Sequence, residues 1–415
     1  MTAERDIVVI GAGIVGVSAA IHLQKRGRSV TLVDRRDPGE ETSYGNTGVI
    51  EGGTYVPIAM PRDVRSLLRY ARNMQPEMHF HWGAMPKVAP WLMQLAANSS
   101  EAKLRANGGH VMALLAHAID EHKALLSAAG AERYLRETGW IRIYRSEAAF
   151  QANALERRIA DEGGFGYDVL DPEEVRELEP HLNSVFARAE HWHDVASLSD
   201  PGAVTKAYAA QFAADGGSFE RTATRRLTPS GAGWTIETDG GSIAAREVVV
   251  ALGPWSMDLL TPLGYRVPFA VKRGYHTHYR PKGNASLVRP IVDVSYGYAM
   301  SPMTLGIRVT TGIEFADRDA PPTPVQVSRI EPHVRELIPL GEPVEDSPWM
   351  GRRPSFPDSL PAIGPAPNHA GLWLDFGHAH LGLTLGPVSG RLLAEMICGE
   401  ATVVDPAPYS VTRFG

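Results

Sequence analysis

Gly11, Gly13 and Gly16 stand at G-x-G-x-x-G spacing, and Asp34 follows eighteen residues after Gly16. Residues of these types at this spacing bind a dinucleotide. The first glycine allows a tight turn, the second lets a pyrophosphate approach the backbone, and the third lets a helix pack closely on a strand. The phosphates then meet free N–H groups and the positive end of the helix dipole, which brings Ile14 and Val15 to the cofactor. Asp34 suits hydrogen bonds from ribose hydroxyls and argues for a free 2′-hydroxyl. Arg35 and Arg36 come next, placed for solvent or for cofactor phosphate. This local spacing does not separate NAD from FAD.

Three further glycine turns bear on that choice. They are Thr42-Ser43-Tyr44-Gly45-Asn46-Thr47-Gly48 with Val49 behind it, Ala251-Leu252-Gly253-Pro254-Trp255-Ser256, and Gly377-His378-Ala379-His380-Leu381-Gly382-Leu383-Thr384. Turns spread this widely suit a long cofactor lying extended across one domain, each turn approaching a different part of it. Tyr55, after Gly52-Gly53, is placed to act as a lid.

These residues need a scaffold. Asp6–Ile10 is a short β-branched run suited to a buried parallel strand. Ile14–Arg26 fits an amphipathic helix that Gly27 ends, and Ser29–Val33 is a second strand ending at Asp34. Together they make a βαβ unit. From Pro61 to about Gly130 the pattern is mainly helical, with a helix interruption expected at Gly108–His110. Gly139–Tyr144 reads as a strand and Glu147–Glu162 as one helix. A second αβ block starts near Asp200, with a helix over 201–214. Short strands follow at 222–227, 234–238 and 242–245, then a separate buried strand at 247–253. Residues 267–280 and 291–314 read as strands of a mixed sheet, 371–375 as a late strand, and Gly386–Ile397 as the last helix.

Composition excludes several classes. The 415 residues predict two or three domains. Hydrophobic residues make up 44% and charged residues 21%, as in an ordinary globular protein rather than a disordered one. The net charge of −6 argues against nucleic acid as a partner. A single cysteine, Cys398, rules out an internal disulfide and a cysteine-rich metal or iron–sulfur site. His191-Trp192-His193-Asp194 offers too few ligands at metal spacing, so no metal is expected. The start does not fit a signal peptide, and no stretch reaches the roughly 18 apolar residues of a membrane span. The expected location is the cytoplasm, with peripheral attachment at the inner membrane or association with a partner subunit left open.

The chain resembles the FAD-dependent D-amino-acid oxidase and glycine oxidase class, and within it the small-subunit type of bacterial D-amino-acid dehydrogenase. The segments that carry the resemblance are VVIGAGIVGVSAA, LVDRR with ETSYGNTGVI, VKRGYH, VVVALGPWS, WMGRRPSFPDSLPAIGP and LWLDFGHAHLGLTLGPVSGRLLAEMI, spread over nearly the whole chain. The resemblance implies an α/β fold: a Rossmann-like FAD-binding domain, and a substrate domain with a mixed, mainly antiparallel sheet and helices. The expected FAD domain is discontinuous, at 1–54, 195–265 and 350–415. The substrate domain takes 55–194 and 266–349. The implied reaction moves a hydride from the substrate Cα to flavin N5, giving an imine that water hydrolyses to a 2-oxo acid. The implied substrate is a D-amino acid or a related amine, such as a D-proline derivative or an N-alkyl glycine. An oxygen-using glycine, sarcosine or D-hydroxyproline-type oxidase is the alternative, as is the flavoprotein subunit of a heteromeric amine dehydrogenase. The electron acceptor, whether quinone, dye or oxygen, stays open. An NAD-dependent hydroxy-acid dehydrogenase is disfavoured because it has no use for the C-terminal glycine turn.

Such a site needs a cation for the substrate carboxylate. By resemblance to the family's G-x-R-P segment, Gly351-Arg352-Arg353-Pro354 puts Arg353 in that role, where a guanidinium grips a carboxylate bidentately. Arg352 is expected to be structural. Tyr275, on a strand that borders the substrate in relatives, and Tyr298 are candidates for closing the pocket. Lys272 or Arg273 is placed either at the flavin edge or in solvent. His378 is a candidate flavin neighbour beside Gly377, Leu381, Gly382, Leu383 and Thr384, and His380 a position that distinguishes the substrate. Sarcosine-oxidase-type relatives tether FAD through a cysteine. Cys398 does not match that motif, so non-covalent FAD is expected.

Overall fold

The computed structural model describes residues 5–61 and 63–415. Ile7, Val8, Val9 and Ile10 are buried on both faces of the strand Arg5–Ile10, which accounts for their continuous apolar run. This strand pairs in parallel with Val30–Asp34 on one side and Gly241–Val250 on the other. Ser218–Arg221 and Leu372–Phe376 extend the parallel sheet outward. Three of these strands end their runs at Gly11, Ala251 and Gly377. The turns that matter chemically therefore lie together at the carboxyl edge of the sheet, where open α/β sheets bind ligands.

The segments 242–245 and 247–253, expected as two strands, form one ten-residue strand, Gly241–Val250. Its first half pairs antiparallel with Gly233–Thr238, and its second half pairs in parallel with Leu372–Phe376. Helices Ile14–Lys25 and Gly382–Cys398 pack against each other at small residues. A Cβ on Gly390 would come within 2.6 Å of the Ala19 nitrogen.

The second sheet has eleven strands among the described residues, mostly antiparallel. Ala270–Pro281 is its longest strand and pairs with Gly306–Thr310, Ile313–Phe315 and Trp349–Ser355. Beyond Gly306–Thr310 come Tyr298–Met303, Ile291–Asp293 and Trp140–Tyr144 in turn. The helix Val325–Leu337 buries Ile330, Val334 and Leu337 against Ile143, Met300 and Val309 of this sheet. Trp349–Ser355, most of which the expected division at 350 assigns to the FAD domain, is paired into this sheet.

Two local expectations change. Glu101–Ala128 runs unbroken through Gly108, and the glycine serves close approach instead: a Cβ there would stand 2.7 Å from the Tyr55 carbonyl oxygen. The expected helix at 147–162 is two helices, Glu147–Ala152 and Ala154–Gly163, broken at Asn153. No described helix is long and apolar enough to cross a membrane.

Candidate active site

One cavity of about 1130 Å³ runs from the end of Val30–Asp34, past Gly11, Gly13 and the 42–49 loop, to the middle of the eleven-stranded sheet. The first glycine turn is built as its residue types require. Gly11 has φ +115°, and a Cβ on it would lie 2.4 Å from the Ala251 carbonyl oxygen. Gly16 packs against the Gly11 carbonyl and sits behind the cavity wall. Gly13 is the N-cap of the helix Ile14–Lys25 and has no side chain to fill its place. The first-turn end of this helix faces the cavity, with Ser43 Oγ accepting from the Ile14 amide at 2.9 Å.

Asp34 lines the same end. Its carboxylate accepts from the Ala12 and Arg36 amides at 2.7 and 3.0 Å, and burial raises its pKa. Arg35 lies over the Trp255 ring at 4.2 Å and pairs with Glu41. Arg36 also pairs with Glu41 and lies outside the cavity lining. Asn46 folds the 42–49 loop, donating to the Ser43 carbonyl and accepting from the Gly48 amide. Thr42, Ser43, Asn46, Thr47, Val49, Ala251, Gly253 and Trp255 all line the cavity, as do Ile14, Val15, Gly382, Leu383 and Thr384. Gly48, Gly377 and Leu381 shape the turns from behind. A Cβ on Gly377 would strike the Phe356 ring at 2.2 Å.

This geometry fits FAD. The helix end without an N-cap side chain, the open cradle at Gly13 and the length of the cavity match an extended dinucleotide with a second half beyond its pyrophosphate. The far half of the cavity reaches the turn 377–384, which a shorter ligand would leave unused.

At that far end stands Arg353. Its guanidinium donates to the Gly312 and Thr311 carbonyls at 2.7 and 3.1 Å. It has no carboxylate partner among the described residues, and burial pushes its pKa down to about 10. The space it occupies exists because residue 274 is glycine: a Cβ there would lie 2.6 Å from Arg353 Nη2. Directly opposite Arg353 on the next strand is Lys272, buried, with its ammonium 5.5 Å from the Trp91 ring centre. Burial and the neighbouring guanidinium push Lys272 down to about 7. Neither the free solvation nor the flavin-edge placement describes Arg273. It is fully buried and donates to Glu314 and to the Ala320 and Pro321 carbonyls. Arg352 donates to the Arg318 carbonyl and lies over Trp255, far from Arg353's carbonyls.

Of the three tyrosines, Tyr275 and Tyr298 line the cavity, and the hydroxyls of both are held by protein partners. The Tyr275 hydroxyl donates to Glu314 at 2.7 Å and accepts from Arg273 and the Thr323 amide, so it is committed to the sheet. The Tyr298 ring lines the cavity, but its hydroxyl meets Arg145 and the His333 carbonyl. Tyr55 is only 4% exposed and is packed in the core, with its hydroxyl unpartnered, so it is no surface lid. Its ring stands 5.9 Å from that of His380, which opens onto the cavity.

His378 is buried, 3.2 Å from Ser389 Oγ and 3.3 Å from Asp375 Oδ1. Its strand-like bridge to Ser355 and the Ala379 amide's bond to the Pro354 carbonyl (2.7 Å) tie the C-terminal turn to the Arg353 strand. The residues that sequence alone did not single out are Glu51, Arg142, Gly274, Thr311 and Gly312, all on the cavity wall. For Glu51, Arg142 and Gly274 the signal is strand alternation, which needs the register to be known, whereas Thr311 and Gly312 lie in the turn between two strands. On a distant sheet edge, Asp168 joins His191 and His193, with ligand atoms within 4.8 Å of one another.

Comparison with known proteins agrees with this geometry. A family described as FAD dependent oxidoreductase matches residues 6–396. A D-amino-acid oxidase of Bradyrhizobium diazoefficiens is 30% identical over 429 aligned positions, covering 100% of both chains. A D-amino acid dehydrogenase of Cereibacter sphaeroides is 30% identical, covering 98% of this chain and 95% of its own. The crystal structure of glycine oxidase from Geobacillus kaustophilus superposes with a TM-score of 0.77 at 22% identity, covering 99% of each chain, and so shares the fold.

Proposed function

This chain belongs to the family of FAD dependent oxidoreductases, and from that premise we propose that it oxidatively deaminates a D-amino acid. The observation that carries the reading is Arg353, a half-buried guanidinium that faces the cavity with no carboxylate partner among the described residues. A charged group taken from water and left without a counter-ion costs stability, so its presence calls for an anionic ligand. A substrate α-carboxylate supplies that anion. Two donors of the fork hold the Gly312 and Thr311 carbonyls, which fixes the plane in which the remaining donors meet the carboxylate.

When bound, FAD supplies the two-electron oxidant for the substrate Cα–H. The chain's own part is to hold and orient. Gly13 and the start of the Ile14–Lys25 helix take the pyrophosphate, Asp34 the ribose, and the turn at Gly382–Thr384 the ring end. Backbone N–H groups at that turn, which opens the helix Gly382–Cys398, are placed to stabilise negative charge on the ring. Arg353 fixes the carboxylate, and its strand is tied to that same turn. Lys272, opposite Arg353 and pushed down to about 7, is the described side chain there whose amine can take up a proton at neutral pH. FAD is held without a covalent bond: Cys398 ends the last helix, roughly 24 Å along its axis from Gly382.

A second feature concerns where the enzyme works. The helix Val64–Ala71 buries none of its residues. Val64 is 71%, Leu68 62%, Met74 72% and Trp82 69% exposed, beside the basic Arg65, Arg69 and Arg72. Leu67, Ala71 and Trp82 also border the cavity. Apolar and basic residues together suit an anionic bilayer surface, so the proposal includes peripheral attachment there.

The deamination reading is tested by anaerobic titration of the purified yellow protein. D-amino acids should bleach the flavin absorbance and L-amino acids should not. A colourless protein that binds only NAD overturns it.

A further inference from the structure

The strand Val49–Glu51 turns Val49 and Glu51 to the cavity and Ile50 to the core, where it is fully buried. The Glu51 carboxylate has neither a hydrogen bond nor an ion pair among the described residues. The charges nearest it are Arg142 and Glu156, which pair with each other. This wall therefore holds two carboxylates and one guanidinium. The opposite pole holds Arg353 and Lys272, with no carboxylate. His380 lines the cavity, with its ring 5.9 Å from that of the core residue Tyr55. Burial and the Glu156 charge push Glu51 up to about 8, the condition of a carboxylate that lacks a cation.

The two poles line the same cavity from different strands. Arg142 lies on Trp140–Tyr144, four strand positions from the Ala270–Pro281 strand that seats Arg353 over Gly274. The α-amine sits one carbon from the carboxylate that Arg353 holds, so it stays at the cationic pole. Only a side chain reaches the other wall.

Resting on the D-amino-acid reading above, we propose that Glu51 selects the side chain, and that the substrates are D-amino acids with a cationic terminus, an ammonium or a guanidinium. The surplus carboxylate on the Glu51–Arg142–Glu156 wall is the counter-ion such a terminus needs.

The test compares anaerobic flavin reduction by D-lysine and D-arginine with reduction by D-norleucine and D-methionine, of similar length and uncharged. The wild type should favour the basic pair by at least about tenfold in kcat/KM, a preference of about 1.4 kcal/mol. In Glu51→Gln the basic-to-neutral ratio should fall by at least about tenfold, and in Glu51→Asp much of it should persist. A measurement on the wild type alone stands beside the variants. As competitive inhibitors, 5-aminovalerate should bind more tightly than pentanoate by a similar factor. A wild type without basic preference overturns the inference while leaving deamination intact, and so does a Glu51→Gln loss equal for all four substrates. Equal binding of the two inhibitors does the same. If no D-amino acid reduces the flavin, the deamination reading fails first and takes this one with it.

Discussion

Replacing Arg353 by methionine keeps the length of the side chain and removes its charge and its donors. If the guanidinium holds the substrate carboxylate with two charge-assisted hydrogen bonds, the loss is about 4 kcal/mol. At about 1.4 kcal/mol per tenfold, kcat/KM falls roughly a thousandfold. Arg353→Lys keeps the charge but loses the fork, which costs about 2 kcal/mol, or roughly thirtyfold. Stability should respond differently. In the free protein this side chain bonds only the Gly312 and Thr311 carbonyls and forms no ion pair, while burial disfavours its charged form. The methionine variant should therefore melt within a few degrees of the wild type and keep its flavin. Stopped-flow flavin reduction, the flavin-to-protein absorbance ratio and a thermal melt read the three quantities. An Arg353→Met protein that holds flavin and keeps kcat/KM within about threefold of wild type refutes the assignment. The carboxylate would then belong to the other unpaired cation, and Lys272→Met would show the loss instead.

Other consequences can be measured separately. Gly13→Ala places a methyl 3.2 Å from Ser43 Oγ, which the fold tolerates, but it fills the pyrophosphate cradle; flavin affinity measured by ultrafiltration should drop at least about tenfold. Acid precipitation should leave the flavin in the supernatant, and a yellow pellet would refute non-covalent binding. Lys272, pushed down to about 7, loses its charge as pH rises through neutrality; KM for a carboxylate substrate should rise above about pH 7, and Lys272→Met should flatten that limb. Leu68→Glu should weaken sedimentation with phosphatidylglycerol-containing vesicles while vesicles of phosphatidylcholine alone bind neither protein.

The cofactor half of the site was legible because its chemistry is local. Gly11, Gly13 and Gly16 are needed within six residues, and Asp34 ends the next strand, so the spacing along the chain is nearly the spacing in space. Arg353 was legible only by resemblance to the G-x-R-P segment. The tyrosines show where reading by type stops. Tyr275 was assigned to the substrate, yet its hydroxyl goes to Glu314, thirty-nine residues on, which only strand register reveals. Glu51 was passed over for the same reason. A lone glutamate beside Gly52-Gly53 has no signal until Val49–Glu51 is known to present alternate residues to a cavity. Gly108 was read as a helix breaker because glycine lowers helix propensity, but packing against the Tyr55 backbone outweighs that cost.

The pairing of Trp349–Ser355 into the eleven-stranded sheet bears on function. The strand Trp349–Ser355 is hydrogen-bonded into the substrate sheet along its length, and Lys272 faces Arg353 across that pairing. Its next two residues leave for the other side: the Pro354 carbonyl accepts from Ala379, and Ser355 bridges to His378. Ala379 has φ +53°, a conformation costly for a residue with a Cβ, and it is held there by that bond. Arg353 and the turn at Gly377–Thr384 are thus fixed to each other through one or two residues of extended chain, roughly 7 Å of backbone. A strand in a sheet neither stretches nor slides by a fraction of a register. The separation between carboxylate and ring end is then set by covalent geometry rather than by closure of one domain on the other. The strand Val49–Glu51 joins the same frame, because Thr384 Oγ1 donates to the Val49 carbonyl at 3.2 Å and accepts from the Glu51 amide at 3.4 Å.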